Sequence, residues 1–309
     1  MNTVKSRWQL SVRTYWILTV IACFFIAAII FTGASVRVTG SGLGCPTWPK
    51  CTSDSFTPHD SMSGHALIEF GNRLFTGAVS LSVILAVAGS LIRYPRSKKL
   101  IWLSLTLVAG VVAQIILGGI TVLLDLHPLA VGSHMLLSII LLTFAMILAV
   151  VSKQEVPPSL KPLLKRSPQL LVLILTSIVV VLGVVVTAAG PHAGDETVPR
   201  LDVSIVTAAR FHSLSAWVLL AAVIHLLFVM KDKSPSLRAL FGIILLQGAW
   251  GYTQYALSVP AWMVAIHVLL ATILFVFSTL YWMTSLQGPT LQEPTTPQTV
   301  PDRQQGEQI

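Results

Sequence analysis

Eight runs of apolar residues, each close to the length that crosses a bilayer, occupy most of this chain. They lie near residues 15–36, 66–92, 100–124, 129–151, 169–189, 209–230, 237–257 and 261–286. A crossing needs about 20 predominantly apolar residues in helical form. In hydrocarbon a lone segment can satisfy its own backbone only as an α-helix, because an open strand leaves its edges unpaired. The runs therefore predict an all-α polytopic membrane protein with eight transmembrane helices. Composition agrees: of 309 residues 54% are hydrophobic and 10% charged, with a mean hydropathy of +0.79. A soluble domain carries about a quarter charged residues, so a water-soluble enzyme is excluded. Lys5, Arg7 and Arg13 before the first run resemble the start of a signal peptide. The run is too long for one and the following Gly-rich stretch is a poor cleavage site, so it reads as a retained helix.

The basic residues set the expected direction of insertion. Fifteen of the 20 Lys and Arg fall at one set of helix ends, among them Arg93, Arg96, Lys98, Lys99, Lys161, Lys165, Lys231 and Lys233. The other set holds only Arg37, Lys50, Arg73, Arg200 and Arg210. Both termini are therefore expected in the cytoplasm. The net charge of +8 and pI of about 9.7 record topology, since nucleic-acid binding needs a concentrated basic face. The expected organisation is a cytoplasmic N-terminus (1–14), a first four-helix half (15–151), a cytoplasmic linker (152–168), a second four-helix half (169–286) and a disordered tail rich in Pro, Gln and Thr (287–309).

The two halves align with each other. Gln114-Ile-Ile-Leu-Gly118 with His134 matches Gln247-Gly-Ala-Trp-Gly251 with His267 without a gap, and residues 36–42 match 184–190. Asn72 then falls opposite His212, and Glu69 opposite Ala209. With four crossings per half, the repeats share one orientation and predict two pseudo-symmetric bundles.

Ionisable residues inside a span are costly and mark function by default. His212 and His267 come from two helices of one half at similar depth, which suits bis-His ligation of a heme iron between helices. The plainer alternative is two histidines hydrogen-bonded to neighbouring helices. No Cys-x-x-Cys-His is present, so such a heme would be held without covalent attachment. In the first half His134 has no histidine opposite it. His65, Glu69 and Asn72 share one face of the second helix. Glu69 either faces a pocket or pairs with Arg73 four residues on. Cys45 and Cys51, six positions apart in the outer loop, admit a disulfide or two independent thiols. Cys23 reads as packing, His59, His127 and His192 as solvated surface, His225 as a weak ligand candidate, and Gln114 and Gln247 as interhelical glue.

Together, Gly40-Ser-Gly-Leu-Gly-Cys45-Pro-Thr-Trp-Pro-Lys-Cys51, Glu69 with Arg73, and His134, His212 and His267 resemble the heme A synthase family over roughly residues 15–286. The resemblance implies oxidation of a methyl group of heme O to the formyl group of heme A, with oxygen drawn from water, in a bacterial plasma membrane. It implies heme b as cofactor on His212 and His267, substrate heme near His134, Asn72 and His65, Glu69 as the catalytic acid, and Cys45 with Cys51 as the outer-loop pair. It also implies membrane lipids, contact with heme O synthase and room for a homo-oligomer, with no nucleic acid. Two features depart from the family. Asn72 stands where a histidine is common, and His65, about 10.5 Å further along the helix axis, cannot replace it on the same iron. The second outer loop, 190–208, lacks the cysteine pair some relatives carry. Two other classes compete: a di-heme b-type carrier oxidising quinol, which gives Glu69 and the cysteine loop no task, and a repeat-built transporter, which would place polar groups at mid-membrane.

Overall fold

The computed structural model describes residues 9–59, 64–165, 167–195 and 197–286. The predicted tail therefore lies outside the described residues, as do most of the expected N-terminal segment and part of the linker. Eight long helices make up the described chain: α1 (Val12–Val38), α2 (Gly64–Ile92), α3 (Lys98–Leu123), α4 (Pro128–Ser152), α5 (Pro168–Ala189), α6 (Ile205–Ile224), α7 (Pro235–Ala256) and α8 (Ala261–Met283). A π-helical turn, His225–Val229, prolongs α6, and short 3₁₀ turns occupy Lys161–Leu164 and Thr284–Leu286. Starts follow from local chemistry. Ser11 and Ser167 accept the otherwise free N–H groups of Thr14 and Leu170, and Pro128, Pro168 and Pro235 sit where a missing N–H costs nothing.

Seven of these helices are long and apolar enough to cross a membrane; α7 is the exception to the predicted eight. At 1.5 Å per residue its 22 residues reach about 33 Å, so length is not the reason. Its apolar character is diluted by Arg238, Gln247 and Gln254 and by three glycines.

Among the described residues, α1 packs on α2 and α4, and α3 on α2 and α4; likewise α5 packs on α6 and α8, and α7 on α6 and α8. The two rings meet where α1 and α4 lie against α8 and α4 against α5. One apolar core runs through α1–α4 and includes Phe275 and Trp282 of α8, and a second joins α5–α8 around Val172, Leu219, Leu237 and Tyr281. Hydroxyl pairs cross between helices: Thr19 with Ser152 at 2.9 Å, Ser104 with Ser90 at 3.1 Å, and Ser278 with Thr176 at 3.0 Å. Outward faces carry Phe24, Trp102, Phe211 and Trp262 exposed, the exterior that a lipid solvent requires.

The α3–α4 and α7–α8 turns share one backbone form. Asp125 and Leu126 adopt φ of 48° and 57°, Ser258 and Val259 63° and 61°. The Leu126 N–H reaches Thr121 O at 2.9 Å and the Val259 N–H reaches Gln254 O at 2.8 Å. Neither pair contains the glycine or asparagine that eases left-handed backbone, so these turns are held by their surroundings. Leu126 shows how: its side chain wedges between Gly42 of the 39–59 loop and Gly194 of the α5–α6 loop. An added Cβ would meet it at 2.6 and 2.8 Å respectively. The Gly42 N–H also donates to Gly194 O at 2.9 Å. This defines the loop end of the bundle.

The linker end is fastened by Arg93, whose guanidinium donates to Gln154 O at 2.6 Å, to Glu155 O at 3.1 Å and to Pro95 O. Trp282 donates to Leu163 O at 3.1 Å. Asp232, between α6 and α7, accepts from Tyr281 at 2.6 Å and from the Ser234 N–H at 2.8 Å. Partial burial opposes ionisation of Asp232, but the hydrogen bonds from Ser234 and Tyr281 outweigh it and hold its carboxyl below the usual carboxylate range. A depressed carboxylate contributes stability above its unfolded pKa and loses it as pH falls through the folded value. Asp232→Ala should cost about 2 kcal/mol and flatten the acid limb of a detergent-phase melting profile; an unchanged profile would show that the α6–α7 connection does not depend on this carboxylate.

Candidate functional site

The polar residues gather at the loop end. Among the described residues Glu69 is the only acidic side chain within the eight helices, and it is 5% exposed. Burying a carboxylate without partners is prohibitive, and Glu69 has three donors. The Cys45 N–H donates to Oε2 at 2.6 Å, and Arg73 donates to Oε1 through Nε at 3.1 Å and Nη2 at 2.6 Å. The i+4 pairing weighed from the sequence is thus formed, together with a contact it did not suggest. Arg73 spends its remaining donors on Cys45 O at 2.9 Å and on Thr47 O and Lys50 O at 3.1 Å each. Cys45 and Cys51 form a disulfide and both are fully buried. The ion pair therefore grips the backbone of the cysteine loop from below.

The same loop is fitted onto its neighbours. Gly44 lies so close to α2 that an added Cβ would stand 2.4 Å from His65 O, and the ring of Trp48 covers Gly119 of α3, where a Cβ would meet it at 2.6 Å. His65, in the first turn of α2, is exposed, and its Nδ1 pairs with Ser41 Oγ at 2.9 Å. Asn72 lies one turn below Glu69, and its Oδ1 accepts from the Thr32 hydroxyl of α1 at 2.8 Å.

His212 and His267 are brought together, their ring centroids 6.3 Å apart and their planes at 67°. The His212 Nδ1–H donates to Val179 O of α5 at 3.0 Å. A carbonyl only accepts, so this bond fixes the tautomer and leaves Nε2 with a free lone pair. Nδ1 of His267 is buried without a protein partner, as is Nδ1 of His134. Metal-to-imidazole bonds are about 2 Å, so rings this far apart leave room for one ion between them. The donor set, two neutral nitrogens on helices diagonal in their ring, fits the iron of a heme.

Each histidine also rests on a glycine: Gly118 and Gly251 belong to the repeated Gln–Gly–His pattern of the sequence, whereas Gly183 was not singled out there. An added Cβ at Gly118, Gly183 or Gly251 would stand 3.2, 3.1 or 3.0 Å from Cε1 of His134, His212 or His267. Small-residue positions on α3, α5 and α7 at the depth of the histidines were the available signal. Gln114 and Gln247 serve as interhelical glue in matching fashion: their Nε2 groups donate to His134 O at 3.2 Å and His267 O at 3.1 Å. Gln114 also reaches Ser138 at 2.8 Å.

The histidines read as solvated surface divide. His59 is exposed beside Asp54, and His127 is exposed while accepting the Leu129 N–H at the start of α4. His192 instead joins the α5–α6 loop to the α7–α8 turn through Val259 O at 2.9 Å. His225 is exposed at the π-helical turn, away from the pair at the loop end. Cys23 is a free thiol packed against the first core.

The family model for COX15-CtaA, described as cytochrome oxidase assembly protein, matches residues 15–279. Among curated proteins, the heme A synthase of Shewanella oneidensis is 32% identical over 136 residues, 39% of this chain and 40% of that protein. The heme A synthase of Bacillus pumilus is 30% identical over 136 residues, 43% of each, and that of Oceanobacillus iheyensis 25% over 104 residues, 34% of each. The matches thus span about a third to two-fifths of these relatives' own length.

Replacing Arg73 by Gln strands the Glu69 carboxylate, a loss of about 3 kcal/mol or more for a buried pair. We expect the loop to open and Cys45 and Cys51 to become reducible and alkylable under conditions that leave the parent protein untouched. Mass spectrometry of the alkylated peptides reads the outcome, and equal labelling of both proteins would mean the loop is held by other contacts.

Proposed function

The chain belongs to the COX15-CtaA family of cytochrome oxidase assembly proteins, and from that premise we propose that it is a heme A synthase, a membrane oxidoreductase that converts a methyl group of heme O to the formyl group of heme A. The observation that carries this reading is the pair His212 and His267 facing each other across the second ring, while the first ring keeps His134 and the single buried acid, Glu69. A carrier of electrons alone would have no use for that asymmetry, and the comparisons lend the quinol-oxidising alternative no support.

In this proposal the two rings are repeats related by an axis along the membrane normal. Their matching turns, glutamine contacts and glycine-backed histidines support it. Both termini face the cytoplasm of a bacterial cell, and all eight helices cross its plasma membrane. His212 and His267 hold a heme b, which when bound passes single electrons. The Val179 carbonyl keeps His212 presented through Nε2, and Gly183 and Gly251 leave room for the two rings.

Heme O would be received in the first ring and positioned by His134, whose Nδ1 is buried without a protein partner. Conversion of the methyl group to a formyl group consumes one water and releases four protons and four electrons, so the reaction requires an external electron acceptor as co-substrate. Glu69 is the group that takes up or relays those protons. Its contacts with Arg73 and the Cys45 N–H hold the carboxylate in place at the loop end. The cysteine loop roofs the site and keeps bulk water from it. Delivery of the substrate by contact with heme O synthase, and a homo-oligomeric assembly, complete the proposal.

Co-expression with a source of heme O, followed by pigment extraction, tests this directly. Heme A should accumulate with the parent chain. Glu69→Gln keeps an acceptor for the Cys45 N–H but loses the charge; it should retain the b-type spectrum and lose heme A formation by at least about a hundredfold. His212→Ala and His267→Ala should lose the b-type spectrum. Full activity of Glu69→Gln would reduce Glu69 to a loop anchor, and an unchanged spectrum in the histidine variants would remove them as ligands.

A further inference from the structure

Asn72 occupies the place in the first ring that His212 occupies in the second, and its surroundings give it a different task. Both lie in the third turn of their helices, α2 and α6, and His134 and His267 are each the seventh residue of α4 and α8. In the second ring, α6 and α8 bring two imidazoles to a centroid distance of 6.3 Å; α2 and α4 are the corresponding diagonal pair of the first ring. The helix behind each residue sets what it can offer. Behind His212, α5 presents a carbonyl, Val179 O, which takes the Nδ1 proton and leaves a lone pair on Nε2. Behind Asn72, α1 presents a hydroxyl: Thr32 Oγ1 donates to Asn72 Oδ1 at 2.8 Å. The residue matching Thr32 in the second half is Val180, which has no hydroxyl.

With its oxygen engaged, the amide offers only its NH₂ group, which carries donors and no lone pair for a metal. The other nearby imidazole on α2, His65, is exposed, paired with Ser41 and about two turns further toward the loop end. We propose that the first ring ligates its substrate heme through His134 alone, and that Asn72, positioned by Thr32, stands on the open side of that iron as a hydrogen-bond donor. This rests on the reading that the first ring receives heme O. The two hemes of one molecule then differ in kind: the iron between His212 and His267 is closed to external ligands, and the iron above His134 is open to them. Asn72 favours a ligand that accepts a hydrogen bond, an anion or a polarised small molecule, in that open position.

The test uses the full-length protein in detergent, carrying its b heme and loaded with heme O, with azide as the probe of the ferric form. Spin state is read by electron paramagnetic resonance and affinity by optical titration. The parent protein should show a low-spin signal from one heme and a high-spin, azide-binding signal from the other. His134→Ala should remove only the second. Asn72→Leu should keep the high-spin signal and weaken azide by about tenfold, the loss of one hydrogen bond to an anion. Asn72→His should convert the signal to low spin and abolish azide binding at unchanged heme content, an effect that a purely structural role for Asn72 would not produce. A second heme that is low-spin and silent to azide in the parent protein overturns this inference and leaves the proposed function standing. So does failure to load a second heme while the b-type spectrum is present. Absence of any heme spectrum from the intact protein overturns the proposed function, and this inference with it.

Discussion

A carboxylate inside an apolar helix bundle must be neutralised where it stands, and much of the loop end of this protein is arranged around meeting that demand for Glu69. Arg73 supplies the charge from one turn away on the same helix. A guanidinium brings more donors than one carboxylate can use, and the surplus goes to three carbonyls of the cysteine loop. The carboxylate's other oxygen takes the Cys45 N–H. Helix, ion pair and loop are thus one hydrogen-bonded unit, and the disulfide, the Trp48 ring on Gly119 and the Ser41–His65 contact secure its margins. A group that could serve in proton transfer is held by the same contacts that build the roof above it, so chemistry and architecture cannot be altered separately here.

The second ring solves a different problem, that of burying imidazoles without charging them. It does so with a carbonyl for His212 and with glycines that let the helices close around the rings. In the first ring the side chain on α2 is an amide, and the Thr32 hydroxyl on the adjacent helix α1 donates to its oxygen.

With the π-helical turn counted as part of α6, helix positions were legible in the sequence to within four residues, because apolar length is the dominant signal in a chain of this kind. The partial exception is α7, whose glycines and glutamines lower its apolar content for the sake of contacts inside the second ring. His134, His212, His267 and Glu69 were also legible, since an ionisable residue in a span is rare enough to be conspicuous. Gly118 and Gly251 stood out in the internal repeat but their role beneath the histidines did not, and Gly183 was unmarked, because a glycine's meaning depends on which helix lies opposite. The paired left-handed residues at 125–126 and 258–259 were hidden for a similar reason: Asp125 and Ser258 are ordinary turn residues, but Leu126 and Val259 beside them give no sign of a left-handed backbone, and Leu126 is seated against loops distant in sequence. His192 looked like surface because its partner, a backbone carbonyl 67 residues away, leaves no trace in composition.

The seat of Leu126 between Gly42 and Gly194 has a mechanical consequence. It is a key in a slot cut half from one ring and half from the other, with the Gly42–Gly194 hydrogen bond closing the slot. A joint of that kind resists the rocking by which two bundles take turns in opening to opposite sides. It makes the pair a fixed gauge, setting the spacing of the two rings at this end of the molecule.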